Sequence, residues 1–140
     1  MVAAEYPKFY LYKRIVQAKL YIDENFALDI DLDNISSEAS FSKFHFIRLF
    51  KKIYGRSPHQ HLTVVRIEQA MRLLRMNTSV TETCFAVGFQ SISSFTTLFK
   101  RHTGVPPSVF LQRHQQMMLT VVKKPLLFIP GCFASMNGWK

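Results

Sequence analysis

Residues 50–58 read FKKIYGRSP, and residues 99–107 read FKRHTGVPP. The two phrases lie 49 residues apart. At that offset Ser42 falls on Ser91, Phe46 on Phe95, Leu49 on Leu98 and Phe50 on Phe99. Lys51 then meets Lys100, Lys52 meets Arg101, Gly55 meets Gly104, Pro58 meets Pro107 and Leu62 meets Leu111. Upstream of Ser42 the best offset drops to 48, pairing Leu32 with Val80, Ala39 with Val87 and Phe41 with Phe89. Matches this numerous and in this order mark a duplicated unit with one residue inserted near Gln90.

Each unit reads as helix, short turn, helix. In the first, Asp31 is placed to cap a short helix running through Ile35 to Ala39, and a turn follows at Ser40-Phe41. Ser42 then caps a second helix whose Phe46, Leu49, Phe50 and Ile53 fall on one face at i, i+3, i+4 and i+7. Gly55, just past its end, suits the left-handed conformation. In the second unit Ser79 and Glu82 have the spacing of a capping box, and the helix runs to Val87. Gly88 makes the turn, Ser91 caps the next helix, Phe95, Leu98 and Phe99 point inward, and Gly104 ends it. The phenylalanines are read as core.

Three further helices complete the pattern. Residues 13–26 would bury Ile15, Ala18, Ile22 and Phe26. Between the units, Ser57 and Pro58 open a helix with an apolar stripe of Leu62, Val65, Ala70, Leu73 and Leu74. It lacks internal Gly and Pro, so nothing should kink it. After the second unit, Pro107 opens a helix through Val109, Phe110 and Leu111. The expected organisation is a lead at 1–9, a first unit at 10–56, a linking helix at 57–76, a second unit at 77–116 and a tail at 117–140.

Composition agrees with one folded domain or two very small ones. Apolar residues make up 48% of the 140, including 13 Phe, which is enough to close a core. Charge is divided unevenly. Residues 1–39 hold seven acids against four Lys/Arg, net −3; residues 40–140 hold Glu68 and Glu82 against fourteen Lys/Arg, net +12. A basic body suggests a polyanionic partner, nucleic acid or an anionic membrane surface. Cys84 and Cys132 form no C-x-x-C pair and sit among apolar neighbours, the pattern of reduced, buried thiols in a cytoplasmic protein. The start lacks the basic-then-apolar order of a signal peptide. The apolar tract near residue 120 is cut by Lys123, Lys124 and two prolines, so it cannot cross a bilayer as one apolar helix.

A helix–turn–helix with a basic outer face is a common way to place a helix in the major groove of double-stranded DNA. Two such units within a basic segment strengthen that reading. A linking helix of about 19 residues is ~28 Å long. Successive major-groove faces on one side of B-DNA are roughly 34 Å apart. One stiff rod could therefore hold two recognition helices, about 42–54 and 91–103, one turn apart. The repeat is direct, so the site should be asymmetric. Ser42 and Ser91 at helix N-termini are natural phosphate anchors, and Lys43, Lys51, Lys52, Lys100 and Arg101 add Coulombic attraction.

The stretches AMRLL (70–74), VTETCFAVGF (80–89) and FTTLFKRHTGVPP (95–107) resemble the signature region of the AraC/XylS family of bacterial transcriptional regulators. SKFHFIRLFKKIYGRSP (42–58) is similar to that family's first helix-turn-helix, and the likeness covers roughly residues 10–115. It implies an all-α fold: a seven-helix double helix-turn-helix domain, here followed by an irregular or extended tail. It also implies a domain that binds DNA and recruits RNA polymerase. The expected location is the cytoplasm, on the nucleoid, and the expected state a monomer or weak dimer. Base-contacting side chains of the family map onto Phe44, Ile47 and Arg48 in the first unit, and onto Ile92, Ser93 and Thr97 in the second. Arg48 suits a bidentate pair with guanine, whereas the second set offers only van der Waals contact and small hydroxyls. This chain departs from the family pattern at Ser40, in place of a turn glycine, and at Thr83, in place of a branched aliphatic. The Thr83 hydroxyl should then bond back to its own helix.

The sequence carries no Walker loop, G-x-G-x-x-G, H-E-x-x-H or G-x-S-x-G motif. His59 and His61 are two apart and cannot share a helical face, so no metal site is read there, and His45, His102 and His114 read as surface groups. No enzyme, cofactor or metal function follows from these residues. The alternative from another class is a helical interaction module that binds polymerase or another regulator with little affinity for DNA.

Overall fold

The structure, a computed structural model, describes residues 2–33 and 42–123, with side chains from Phe9 onward. Among the described residues there are six α-helices and no strand: α1 (Val2–Asn25), α2 (Lys43–Tyr54), α3 (Pro58–Arg75), α4 (Val80–Ala86), α5 (Ile92–Thr103) and α6 (Pro107–Lys123). The seventh expected helix, at 31–39, lies mostly outside them, as does the Ser40 turn; Leu32 and Asp33 are helical.

The duplication is visible in backbone geometry. Ser42 accepts from the His45 N–H, and Ser91 accepts from the Ser94 N–H, both with extended backbone. Each cap meets one of the four N–H groups that a helix start leaves unpaired. At the far ends Gly55 (φ 79°) and Gly104 (φ 88°) adopt the left-handed conformation and donate to Lys51 O and Lys100 O. Pro58 and Pro107, the next matched pair, each open the following helix and are buried there.

Two cores lie on either side of α3. The first gathers Ile15, Ala18 and Ile22 of α1, then Leu32, Phe46, Phe50 and Leu62. The second gathers Ile67, Ala70 and Leu74 of α3 with Cys84, Val87, Phe89, Phe95 and Phe99. The helix α3 packs against each of the other five described helices and serves both cores. Its start is fixed by a full capping box, with Ser57 Oγ accepting from Gln60 N–H and Gln60 Oε1 accepting from Ser57 N–H. In the second core Phe95 and Phe99 meet edge-on (centroids 5.6 Å apart), as do Phe99 and Phe110 (5.5 Å). Truncating a buried phenylalanine of this kind to alanine costs about 3–5 kcal/mol.

Several expectations need correction. The stretch read as an N-terminal lead is helical from Val2, and α1 ends at Asn25, which leaves Phe26 in the turn, partly buried against both cores. Ile53 is 37% exposed; Tyr54, one position on, packs on the first core instead. Val65 and Leu73 are half-buried, while Ile67 and His61 are buried. Only one half of the Ser79 box forms, Ser79 Oγ accepting from Glu82 N–H. Thr83 does not bond back to its helix: its hydroxyl is buried and finds no hydrogen-bond partner among the described residues. The last helix continues to Lys123, into the stretch read as tail; the remainder of that stretch, with Cys132, lies outside the described residues. No described helix is long and apolar enough to cross a membrane.

Candidate nucleic-acid interface

The inward phenylalanines fix which side of α2 faces out. With Phe46 and Phe50 buried, Phe44, Arg48, Lys51 and Lys52 are exposed, and Phe44 is 76% exposed despite its ring. A large apolar side chain held in water on a basic helix is a candidate contact surface. Ile47 is different: it is half-buried and packs on the first core, so only part of it can meet a ligand. Lys43 is already engaged, its Nζ 2.8 Å from Asp33 Oδ1. That ammonium holds the Asp33 carboxyl below its ordinary pKa, and a phosphate at Lys43 would have to compete with it.

On α5, Phe95 and Phe99 turn Ile92, Ser93, Thr97, Lys100 and Arg101 outward. The Thr97 hydroxyl donates to Ser93 O at 2.9 Å, so toward a ligand it retains acceptor capacity only. Ser91 Oγ accepts the cap bond and lies 3.5 Å from Ser93 Oγ. At both helix starts the cap uses the serine oxygen as acceptor. At Ser42 the O–H stays available as a donor to an anion. Basic residues also close both helices, Lys51 and Lys52 on α2 and Lys100, Arg101 and His102 on α5, where they complement the helix dipole.

The structure adds residues that the sequence reading missed. Between the first turns of α3 and the second half of α5 lies an open cleft of about 460 Å³. Its polar lining is Arg56, His59, Gln60, Thr63, Arg101 and His102, with no carboxylate among the described residues that line it. It adjoins the outer face of α5 through Leu98, which also lines a smaller depression with Ser93, Ser94 and Thr97. Beneath it His61, 4% exposed, bridges Asp23 Oδ1 (2.7 Å from Nε2) and the Arg56 Nε–H (3.2 Å from Nδ1). Nothing in a one-dimensional pattern joins Asp23 to His61 across 38 residues.

A second long-range set ties the two units. Arg66 of α3 donates to the carbonyls of Phe26 (2.7 Å) and Leu28 (3.0 Å), and its guanidinium lies 5.7 Å from the centre of the Phe89 ring. Burial pulls the Arg66 pKa down from its ordinary value, but a guanidinium keeps its proton near neutrality. Burial likewise pushes the Cys84 thiol up, which keeps it protonated and unreactive.

Comparison with known proteins places these features in context. Residues 35–113 match a family described as "Helix-turn-helix domain". An uncharacterised HTH-type transcriptional regulator of Pseudoalteromonas carrageenovora is 34% identical over 96 residues, 69% of this chain and 57% of its own length. The chain spans less than half of several other curated relatives that it matches. Among solved structures, a probable AraC family transcriptional regulator from Rhodopseudomonas palustris is 26% identical, with a TM-score of 0.65, covering 73% of this chain and 97% of that one. The DNA-binding domain of AdpA, solved in complex with a target DNA, is 25% identical, with a TM-score of 0.66, covering 79% and 96%.

Proposed function

This chain belongs to the AraC/XylS family of helix-turn-helix transcriptional regulators, and from that premise we propose that it binds duplex DNA at an asymmetric promoter site. In this reading α2 and α5 enter successive major-groove segments. The observation that carries it is the doubling itself: two helices with the same cap, the same buried phenylalanine pair and the same left-handed stop, held on one shared helix. That shared helix has 18 residues, about 27 Å of rise. The span approaches the roughly 34 Å between groove faces on one side of the duplex.

Roles follow from chemistry. Arg48 reads a guanine through a bidentate pair, with Phe44 and the exposed part of Ile47 against thymine methyls. Ile92, Ser93 and Thr97 offer shape and single hydroxyl contacts, so the second half-site is read weakly. Ser42, Ser91, Lys51, Lys52, Lys100 and Arg101 hold phosphates, with Lys43 joining after exchange from Asp33. RNA polymerase is the protein partner, and the domain acts as a monomer or weak dimer on cytoplasmic, nucleoid DNA, without cofactor or catalytic chemistry.

The test is a mobility-shift titration against random duplex, and against a duplex selected from a random pool, at low and moderate salt. Salt-sensitive binding to any duplex, tighter on the selected one, is expected. Absence of binding at low salt would reject the reading in favour of a protein-interaction module.

A further inference from the structure

We propose that Arg56 is a dedicated contact to a duplex phosphodiester, positioned for that task by the buried His61 and its half-buried partner Asp23 and acting in the cleft between the two recognition units. This rests on the DNA-binding reading above and extends it to residues outside both recognition helices.

Three observations converge on Arg56. Its backbone is fixed on both sides, by the left-handed Gly55 that ends α2 and by Ser57, which caps α3. Its guanidinium is held by one edge only: Nε–H donates to His61 Nδ1 at 3.2 Å, and no other hydrogen bond to it exists among the described residues. A guanidinium has five N–H donors, so the four on Nη1 and Nη2 remain for a ligand. Finally, Arg56 lines, together with Arg101 of α5, a cleft with no carboxylate among the described residues that line it.

His61 is what makes the arrangement directional. Its Nε2 faces the Asp23 carboxylate at 2.7 Å, which puts the ring proton on Nε2 and leaves the Nδ1 lone pair for Arg56. Asp23 is itself braced by Lys19 (2.6 Å). The Phe50 and Tyr54 rings flank the His61 imidazole, with centroids 5.9 and 6.4 Å away. The chain from α1 through α3 to Arg56 therefore orders a long, flexible side chain before any ligand arrives, which lowers the entropic cost of binding. The cleft continues onto the outer face of α5 through Leu98. A sugar-phosphate strand leaving the groove read by α5 would pass along it, presenting phosphates to Arg56 and Arg101. Fork-shaped guanidinium recognition suits that geometry better than an ammonium.

The experiment measures duplex affinity against salt concentration for the wild type, Arg56→Ala, Arg56→Lys, Asp23→Asn and His61→Phe, with thermal unfolding in parallel. Arg56→Ala should weaken binding about ten-fold on all duplexes alike. It should also reduce the magnitude of the log–log salt slope by roughly 0.9, the signature of one lost phosphate contact. Arg56→Lys should recover most of the slope but not the affinity. Asp23→Asn and His61→Phe should each weaken binding in the wild-type background and add nothing in the Arg56→Ala background. Asp23→Asn keeps a hydrogen-bond acceptor, so it reports even if His61→Phe folds poorly. An Arg56→Ala protein with a lower melting temperature but unchanged slope would make the network structural only and overturn the proposal. Protection of the protein by inorganic phosphate that depends on Arg56, with duplex binding untouched, would assign the cleft to a free anion and also overturn it. Failure of the wild type to bind any duplex would instead remove the DNA-binding reading, and this proposal with it.

Discussion

The Nε atom of Arg66 lies 2.7 Å from the carbonyl oxygen of Phe26, a bond that spans 40 residues of sequence. The same guanidinium reaches Leu28 O and lies near the Phe89 ring, so one side chain touches the end of α1, the shared helix and the second unit's turn. Carbonyls at a helix end have no partner within the helix. Arg66 supplies one where the chain turns away. Phe26 packs against both cores at the same place. The two units are thus joined at a built corner as well as by α3.

Replacing Arg66 with alanine strands the part-buried Phe26 carbonyl and removes the ring contact, while the exposed Leu28 carbonyl keeps the bond it accepts from the Ile30 N–H. A hydrogen bond involving a charged group is worth about 1.5–3 kcal/mol, and the Leu28 bond is exposed, so a loss of roughly 1.5–3 kcal/mol is expected. Arg66→Lys should lose much of the same, because an ammonium does not present the rigid fork that spans two carbonyls. Urea unfolding of the three proteins measures this; a loss under 1 kcal/mol for alanine would contradict it.

Gly88 meets the same corner. Its φ is +100°, and an added Cβ would lie 2.9 Å from Phe26 O, 3.0 Å from Arg66 Nε and 3.1 Å from Ala27 O. Gly55 and Gly104 are also left-handed but open, with nothing within 4 Å. Gly88→Ala should therefore cost more than about 2 kcal/mol, while Gly55→Ala and Gly104→Ala cost about 1, the conformational strain alone. Equal costs at all three, by thermal or urea unfolding, would show that the corner yields to the methyl.

The reach of the sequence has a physical boundary that runs through these residues. The periodic features were legible: the phenylalanine pairs, the serine caps, the glycine stops and hence both outward faces. Each is set by neighbours within about four positions, which is where helix geometry acts. Asp23 with His61, and Arg66 with Phe26, were not legible, because those bonds depend on how α1 docks on α3. His61 was weighed only as a metal ligand beside His59, and nothing on its own turn, where His59 and Gln60 are exposed, marks it as buried. The cleft lined by Arg56 and Arg101 likewise exists only once α3 and α5 are packed.

Thr83 shows the opposite failure, a local bond expected and not made. Its hydroxyl is buried without a partner among the described residues. An unsatisfied buried polar group costs about 1–3 kcal/mol. Thr83→Val keeps the shape and removes the polar atom, so the domain should gain roughly 1 kcal/mol or more in urea unfolding. Destabilisation by this substitution would mean that the hydroxyl has a partner.

Asp23 sets a pH dependence. Its burial alone would raise the carboxyl pKa, but hydrogen bonds from Lys19 and His61 outweigh that and hold it below the ordinary value. A carboxyl whose folded pKa is depressed stabilises the fold above its unfolded pKa of about 3.9 and loses that contribution as pH falls through the lower folded value. Wild-type stability should therefore fall on acidification below about pH 4. Asp23→Asn should show a shallower decline over the same range, read from urea unfolding at stepped pH. Parallel curves for the two proteins would contradict the sign of this shift.

The two outward faces carry unequal chemistry, and that inequality is measurable. Arg48 is exposed on α2 with a fork suited to guanine, whereas the matched position on α5 is Thr97, whose proton is committed to Ser93 O. A good bidentate pair discriminates by about 1–3 kcal/mol per base, and a hydroxyl acting only as acceptor by less. A scan of single base-pair changes across a selected site should therefore show large penalties clustered in one half. Arg48→Ala should flatten the profile at one position there, while Thr97→Ala leaves the other half nearly unchanged. Lys51→Ala, by contrast, should weaken all duplexes by a similar factor, since a phosphate contact carries no sequence information. Equal penalties in the two halves would mean that α5 reads bases through contacts its side chains do not display.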